Sequence, residues 1–377
     1  MAHGRPGSLA HTSRMGRELN QVPGARSPLR LKCTCGGEVP LAGETVCSCG
    51  KLLSSLEQGV NVVSEPVAYW GEIPLDLMLR LLVLSEKSGW PHAMRALLDE
   101  PMHANIASPV RAAFQQVLPL PDGSRILDVG AGMGAISTQL ARRHQVTALE
   151  GVSERARFIA IRKQQDRLTN LTVLNGDLNH LCLADGQFDA IVVNGVLEWA
   201  GLFDLTAPVE VVQTRFLSNL RHLLAKDGII YIGIENRIGW DQLRGLKDHS
   251  GLPYTSLLPR RLARWVCSTS AAVFRSSANR GYRTYTYSYK GFRELFLRAG
   301  LRIRTMWIAP LGYNNPVHLV PLNRQAIRAY ICHDWSRPPL TLRQVIGNRL
   351  KSLLGNVWFW RTFGSEYVFL LEAAPGA

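Results

Sequence analysis

Apolar residues between positions 121 and 235 fall into short runs separated by longer amphipathic stretches. The runs at 125–130, 146–150, 171–174, 188–194 and 228–235 have the length and the Val, Ile and Leu content of buried strands. Between them, 135–143, 155–168 and 209–224 carry apolar residues at helical spacing. Such alternation predicts an α/β fold, a mostly parallel sheet covered by helices on both faces. Pro121-Asp122-Gly123 opens the region. Upstream, Leu75, Met78, Leu79 and Leu82, then Met94, Leu97 and Leu98, predict two helices around Gly89-Trp90-Pro91. After Asn236 the chain turns irregular and basic, and strand-like segments return at 301–309 and 366–371.

The 377 residues are 46% hydrophobic and 19% charged, a globular balance that excludes disorder throughout. This length implies one large domain with additions, or two domains. No run approaches the roughly 18 consecutive apolar residues of a membrane helix. The N-terminus lacks the apolar core of a signal peptide, so a cytoplasmic protein is expected. The net charge of +14 is concentrated, since residues 241–361 hold 20 Lys and Arg against 4 Asp and Glu. A solvated arginine-rich surface accounts for that count. So does a face for an anionic partner: a phosphorylated small molecule, a lipid carrier, RNA, or a membrane surface touched peripherally.

Four of the seven cysteines are bunched, in Cys33-Thr34-Cys35-Gly36-Gly37 and Cys47-Ser48-Cys49-Gly50-Lys51. Four thiolates brought together by glycine turns suit tetrahedral zinc in a closed structural site. One residue separates the cysteines of each pair, where a zinc ribbon usually has two, so a metal-free remnant and a redox role stand as alternatives. The chain thus divides into a basic tail expected to be disordered (1–30), a zinc-ribbon-like module (31–63), a helical segment (64–107) and an α/β domain (108–377). The last carries basic insertions at about 241–300 and 321–363.

The strongest chemical signal is Ile126-Leu127-Asp128-Val129-Gly130-Ala131-Gly132-Met133-Gly134. An apolar strand runs into a turn with alternate glycines and then opens a helix, so backbone N–H groups can approach a ligand closely. Dinucleotide-binding enzymes use a similar loop. Three further features separate the readings. Asp128 precedes the first glycine, where a carboxylate can meet a cationic group. Glu150 ends the next strand, where it can accept both hydroxyls of a ribose. Asn175-Gly176-Asp177-Leu178 follows the third strand, where a carboxylate can accept from an adenine amino group. Carboxylates so placed suit S-adenosylmethionine, which has an amino group, a sulfonium, a ribose and an adenine but no phosphate.

With these motifs, residues from about 108 to 377 resemble the class I S-adenosylmethionine-dependent methyltransferases. The resemblance implies a Rossmann-like sheet of seven strands whose last strand, at 366–371, is antiparallel. It implies that Asp128, Gly130, Gly132 and Gly134 bind the methionine end and that Glu150 binds the ribose. Asp177 and the Leu178 backbone would bind the adenine, with Asn194 beside the methyl donor.

Candidates on the acceptor side follow the fifth strand, in Glu235-Asn236-Arg237-Ile238-Gly239-Trp240 and Lys247-Asp248-His249-Ser250-Gly251. These, with Trp70-Gly71-Glu72-Ile73-Pro74 and Leu311-Gly312-Tyr313-Asn314-Asn315-Pro316, resemble methyltransferases of bacterial polysaccharide and glycolipid assembly. The expectation is methyl transfer to a small molecule, sugar or glycolipid precursor, with His249 as base held by Asp248, and Glu235 nearby. The cysteine module also resembles one preceding some RNA methyltransferases. An RNA base methyltransferase is therefore the first alternative, although the fourth strand ends in Asn194-Gly195-Val196-Leu197-Glu198-Trp199 rather than in the Asn/Asp-Pro-Pro-aromatic motif. A non-catalytic S-adenosylmethionine-binding partner subunit is the second.

Overall fold

The computed structural model describes residues 27–178, 182–269, 282–332 and 356–376. Most of the basic tail, and the parts of the two insertions at 270–281 and 333–355, lie outside the described residues.

Thirteen strands are described: β1 (Arg30–Lys32), β2 (Glu38–Pro40), β3 (Thr45–Val46), β4 (Leu52–Glu57), β5 (Val60–Val62), β6 (Arg125–Val129), β7 (Gln145–Glu150), β8 (Leu171–Asn175), β9 (Phe188–Asn194), β10 (Leu224–Glu235), β11 (Leu301–Ile308), β12 (Val320–Pro321) and β13 (Glu366–Ala373). Eleven form one sheet in the order β12-β11-β13-β10-β9-β6-β7-β8-β5-β4-β3. Its middle seven, β11 to β8, are the strands expected from the sequence. β13 runs antiparallel to both β10 and β11, while the β10-β9-β6-β7-β8 ladders are parallel.

The two faces of the sheet follow from strand alternation. Leu127, Val129, Ile191 and Val193 pack with Phe216, Leu217 and Leu220 of helix Val209–Leu223. Ile126, Ala190 and Val192 pack with Ala156 and Ile159 of helix Ser153–Gln165 on the other side. Both faces are covered, so the strands read as continuous apolar runs.

The sheet exceeds the expected seven strands because short elements extend both edges. β12 adds to β11, and β5 adds in parallel to β8, pairing Val62 with Asn175. The cysteine-bearing segment is therefore continuous with the main sheet. Leu31, Cys33, Cys47 and Leu53 belong to the same apolar cluster as Leu127 and Leu174. Helices Leu75–Ser88, Trp90–Leu97 and Glu100–Ala107 pack through Met78, Leu81, Leu82, Met94 and Ile106 on Phe158 and Ile161. This lays the helical segment over the carboxyl ends of the parallel strands, where ligands gather in open α/β sheets. The helix expected over 135–143 is shorter, Ser137–Leu140, followed by turns.

Candidate active site

β6 and β9 lie side by side, and β6 continues into the glycine loop. Gly130, Gly132 and Gly134 all have positive φ (66°, 57° and 78°), a backbone region that favours glycine. The loop is fixed from behind. Arg162, buried, donates from Nη1 to the Met133 carbonyl at 2.7 Å and from Nη2 to Thr138 Oγ1 at 3.0 Å. Asp128 is buried and accepts from the Ser137 hydroxyl. Burial pushes its pKa up to about 7, against the help of Ser137 and Arg111.

Glu150 ends β7 and is also buried. One carboxylate oxygen accepts from Gly132 N at 2.7 Å, the other from Val152 N at 3.0 Å. The carboxylate thus ties the glycine loop to the next strand. Asp177 N donates to Ser64 Oγ at 2.7 Å, and Leu178 is buried. Ser64 and Val67 press on Gly176 and Gly151, so close that a Cβ on Gly176 would stand 2.5 Å from Ser64 Oγ. The segment after β5 thereby covers the ends of β7 and β8.

A cavity of about 450 Å³ opens beside this loop. Asp128, Gly130, Gly132 and Asn194 line it, together with Arg111, Arg155, Trp70, Trp199, Glu198, Glu235, Asp248, His249, Tyr313 and Asn314. Gly134, Glu150, Asp177 and Leu178 are not among the residues that line it. Asn194 Nδ2 donates to Asn314 Oδ1 at 3.1 Å, while its own Oδ1 is buried without a hydrogen-bond partner. Arg111 Nη2 holds the same Asn314 oxygen at 2.8 Å.

The far end of the cavity is built by three segments. Glu198 sits in the 3-10 turn Leu197–Leu202 after β9, Glu235 is the last residue of β10, and His249 follows in the next loop. His249 Nε2 lies 3.1 Å from Glu235 Oε2 and 3.6 Å from Glu198 Oε1. Glu235 Oε1 accepts from the Tyr313 hydroxyl at 2.9 Å. Glycines at 195 and 233 admit the tyrosine, since a Cβ at either would come within about 3.0 Å of it. Burial, reinforced by the Glu235 charge, raises the Glu198 pKa. Burial opposes charge on Glu235 as well, but His249 and Tyr313 hold its pKa below the usual value. Burial would lower His249, and the carboxylates of Glu235 and Glu198 override it and raise its pKa.

The expected partner of His249 was Asp248. Its oxygens instead accept from Ser250 N at 2.8 Å and from the Tyr282 hydroxyl at 3.4 Å. Asx geometry of this kind shapes the loop around its own backbone, and the carboxylates closest to the imidazole come from the end of β10 and the turn after β9. Sequence reasoning did not single out Glu198, Arg111, Arg155 or Trp199 as site residues. The aromatic wall is real chemistry in the cavity: Trp70 and Trp199 have ring centroids 5.3 Å apart, with Arg155 5.0 Å over Trp70. The Trp70 and Tyr313 motifs and the stretch from Asn194 to Trp199 carried the signal for this wall.

In the N-terminal segment, Cys33 Sγ is 3.6 Å from Cys49 Sγ, and Cys35 Sγ is 3.5 Å from Cys47 Sγ. All four sulfurs lie within 4.8 Å of one another. The two turns match: Gly36 N donates to Cys33 O at 2.9 Å, and Gly50 N to Cys47 O at 2.8 Å. The Cys35 N–H lowers the Cys33 thiol to about 6 and the Cys49 N–H lowers Cys47, while, against the Gly37 N–H, the neighbouring sulfurs push Cys35 up to about 12.

Residues 127–232 match the family described as a methyltransferase domain. The chain is 33% identical over 112 residues to the malonyl-[acyl-carrier protein] O-methyltransferase of Geobacter sulfurreducens, covering 28% of this chain and 36% of that protein. It is 26% identical over 116 residues to the (S)-coclaurine N-methyltransferase of Thalictrum flavum subsp. glaucum, covering 30% and 29%. The chain thus spans about a third of the length of these curated relatives. The crystal structure of the [4+2]-cyclase SpnF superimposes with a TM-score of 0.42 at 14% identity, covering 73% of this chain and 82% of that one. Residues 127–232 are thus similar to methyltransferase domains.

Proposed function

We propose that the protein transfers a methyl group from S-adenosylmethionine to an oxygen of a small-molecule acceptor, a sugar or glycolipid precursor. The observation that carries this reading is the single cavity that joins the glycine loop at Asp128 to the Glu198, Glu235 and His249 cluster. When bound, S-adenosylmethionine supplies an electrophilic methyl carbon on a sulfonium. The residues fit it: a buried carboxylate at Asp128, a buried unpartnered oxygen on Asn194, and glycine backbone at the cavity wall. Glu150, Asp177 and Leu178 would take the ribose and adenine.

Methyl transfer needs alignment and exclusion of water more than covalent help from the enzyme. The helical segment roofs the cavity with Ile73, Met78 and Ile106, which does the excluding. An oxygen acceptor also gives up a proton. Glu235, the one carboxylate of the cluster held in its ionised form, stands where that proton would go, and the His249 ring and the Tyr313 hydroxyl fix it. The acceptor's anionic character is supported by the arginine excess of 241–361. Helix Arg260–Thr269 there exposes Leu262 and Trp265 beside Arg261 and Arg264, a surface suited to a lipid-linked acceptor at a membrane. No helix of the described residues is long and apolar enough to cross a membrane.

The four thiolates fit one zinc ion, because bonds of about 2.3 Å in a tetrahedron place sulfurs about 3.8 Å apart. Its role would be structural, fastening the β3–β5 segment.

Calorimetry with S-adenosylhomocysteine tests the donor site, and single-turnover kinetics test the acceptor site. His249→Ala is expected to keep cofactor affinity within a few-fold and to slow transfer by about two orders of magnitude. Absence of binding by the parent protein overturns the reading. An unchanged single-turnover rate in the variant removes His249 from the chemistry.

A further inference from the structure

Glu198 is the most unusual side chain in the cavity. It is wholly buried, it lines the cavity, and neither carboxylate oxygen has a hydrogen-bond partner. A buried unpaired carboxylate is costly, so such groups are generally paired or coordinate a metal. Glu235 Oε2 and His249 Nε2, 3.1 Å apart and paired with each other, converge on it. Among the described residues no N–H or O–H donor satisfies either Glu198 oxygen, whereas the outer oxygen of Glu235 accepts from Tyr313.

The spacing is that of ligands around one ion. One ligand atom from each of Glu198, Glu235 and His249 lies within 4.8 Å of the others, with 3.1 and 3.6 Å from the imidazole nitrogen to the two carboxylates. Neighbouring ligand atoms about 2.1 Å from a shared cation stand roughly 3–3.5 Å apart. Three protein ligands from one side leave further coordination positions open, and here the open side is the cavity. Two carboxylates and one imidazole suit a hard to borderline divalent cation such as Mg²⁺ or Mn²⁺. Glu235 ends β10, Glu198 sits in the turn after β9, and His249 lies in the loop beyond helix Trp240–Leu243, so tertiary folding brings the three together. Tyr313 donates its hydroxyl to the other oxygen of Glu235 and so orients it, as hydrogen-bond partners of metal ligands do.

We propose that Glu198, Glu235 and His249 bind a divalent cation whose open positions take oxygen atoms of the acceptor. The inference rests on the methyl-transfer reading only for the second half, the identity of what fills the open positions. It also narrows the acceptor class to molecules that present adjacent oxygens, as vicinal diols and hydroxy acids do.

The test is titration of the full chain, zinc-loaded at its cysteines, with Mn²⁺ alone, followed by electron paramagnetic resonance and calorimetry. One Mn²⁺ per chain is expected, with affinity reduced roughly a hundredfold in Glu198→Gln, no less than the loss of an outer-shell partner costs elsewhere. His249→Gln serves as the second variant, and S-adenosylhomocysteine binding reports that each variant is folded. No Mn²⁺ binding by the parent, or equal binding by both folded variants, overturns the site. Mn²⁺ binding without S-adenosylhomocysteine binding by the parent supports the cation site and rejects the methyl-transfer reading. The reverse result rejects the cation and leaves methyl transfer standing.

Discussion

Glu150 holds two backbone donors at once, Gly132 N in the glycine loop and Val152 N at the start of the following helix. The group assigned to the ribose therefore also shapes the loop that meets the methionine end. Glu150→Gln replaces one acceptor oxygen by a donor facing an N–H. It is expected to weaken S-adenosylhomocysteine binding by about 1.5–3 kcal/mol, the scale of a charge-assisted hydrogen bond, as calorimetry would read it. Unaltered affinity would take Glu150 out of the cofactor site. Asp128 gives a pH dependence. Its carboxyl holds a proton up to about pH 7 when folded, against 3.8 as an unperturbed group. Between those values the folded chain binds more protons than the unfolded one, so this group favours folding at low pH and loses that contribution as pH rises through 7. Arg111 and Glu150 bear on it from either side with opposite sign. A ligand ammonium beside it favours the ionised form, so S-adenosylhomocysteine should bind up to about tenfold more weakly at pH 6 than at pH 8. Affinity constant over that range would place the ammonium elsewhere.

At the scale of elements, the parallel strands were legible because each is buried on both faces and reads as an apolar run bounded by turns. Asp128 and the glycines were legible for the same reason, since they sit where such a run breaks. Glu198 was not. It follows its strand by four residues in a 3-10 turn, and its meaning depends on His249, brought to it only by tertiary folding. The pairing of β5 with β8 was equally hidden, because three residues, Val60–Val62, cannot announce a partner more than a hundred positions away. That pairing makes the cysteine segment matter to the site. Val67 and Ser64 lean on Gly151 and Gly176 at the strand ends. Zinc is expected at about one per chain. Cys33→Ser should lose it, lower the melting temperature, and weaken S-adenosylhomocysteine binding a few-fold without abolishing it, since structural zinc contributes local folding energy. Elemental analysis that finds no metal in protein purified without chelators would contradict this.

Over the whole molecule, charge and chemistry are divided. The proposed donor site is built by the carboxylates and glycines of the sheet's parallel half, while the arginine excess lies from 241 onward, the stretch that also supplies Asp248, His249 and Tyr313 to the cavity. Screening by salt acts on exposed charges far more than on buried ones. Added salt should therefore raise the KM for an anionic acceptor and leave cofactor affinity nearly unchanged. The most direct measurement of the central claim is transfer of label from methyl-labelled S-adenosylmethionine to fractionated glycan and glycolipid precursors, with and without Mg²⁺. The expected result is one labelled fraction, carrying an O-methyl group, whose labelling is lost with His249→Ala. No fraction labelled above that given by heat-inactivated protein would contradict the assignment.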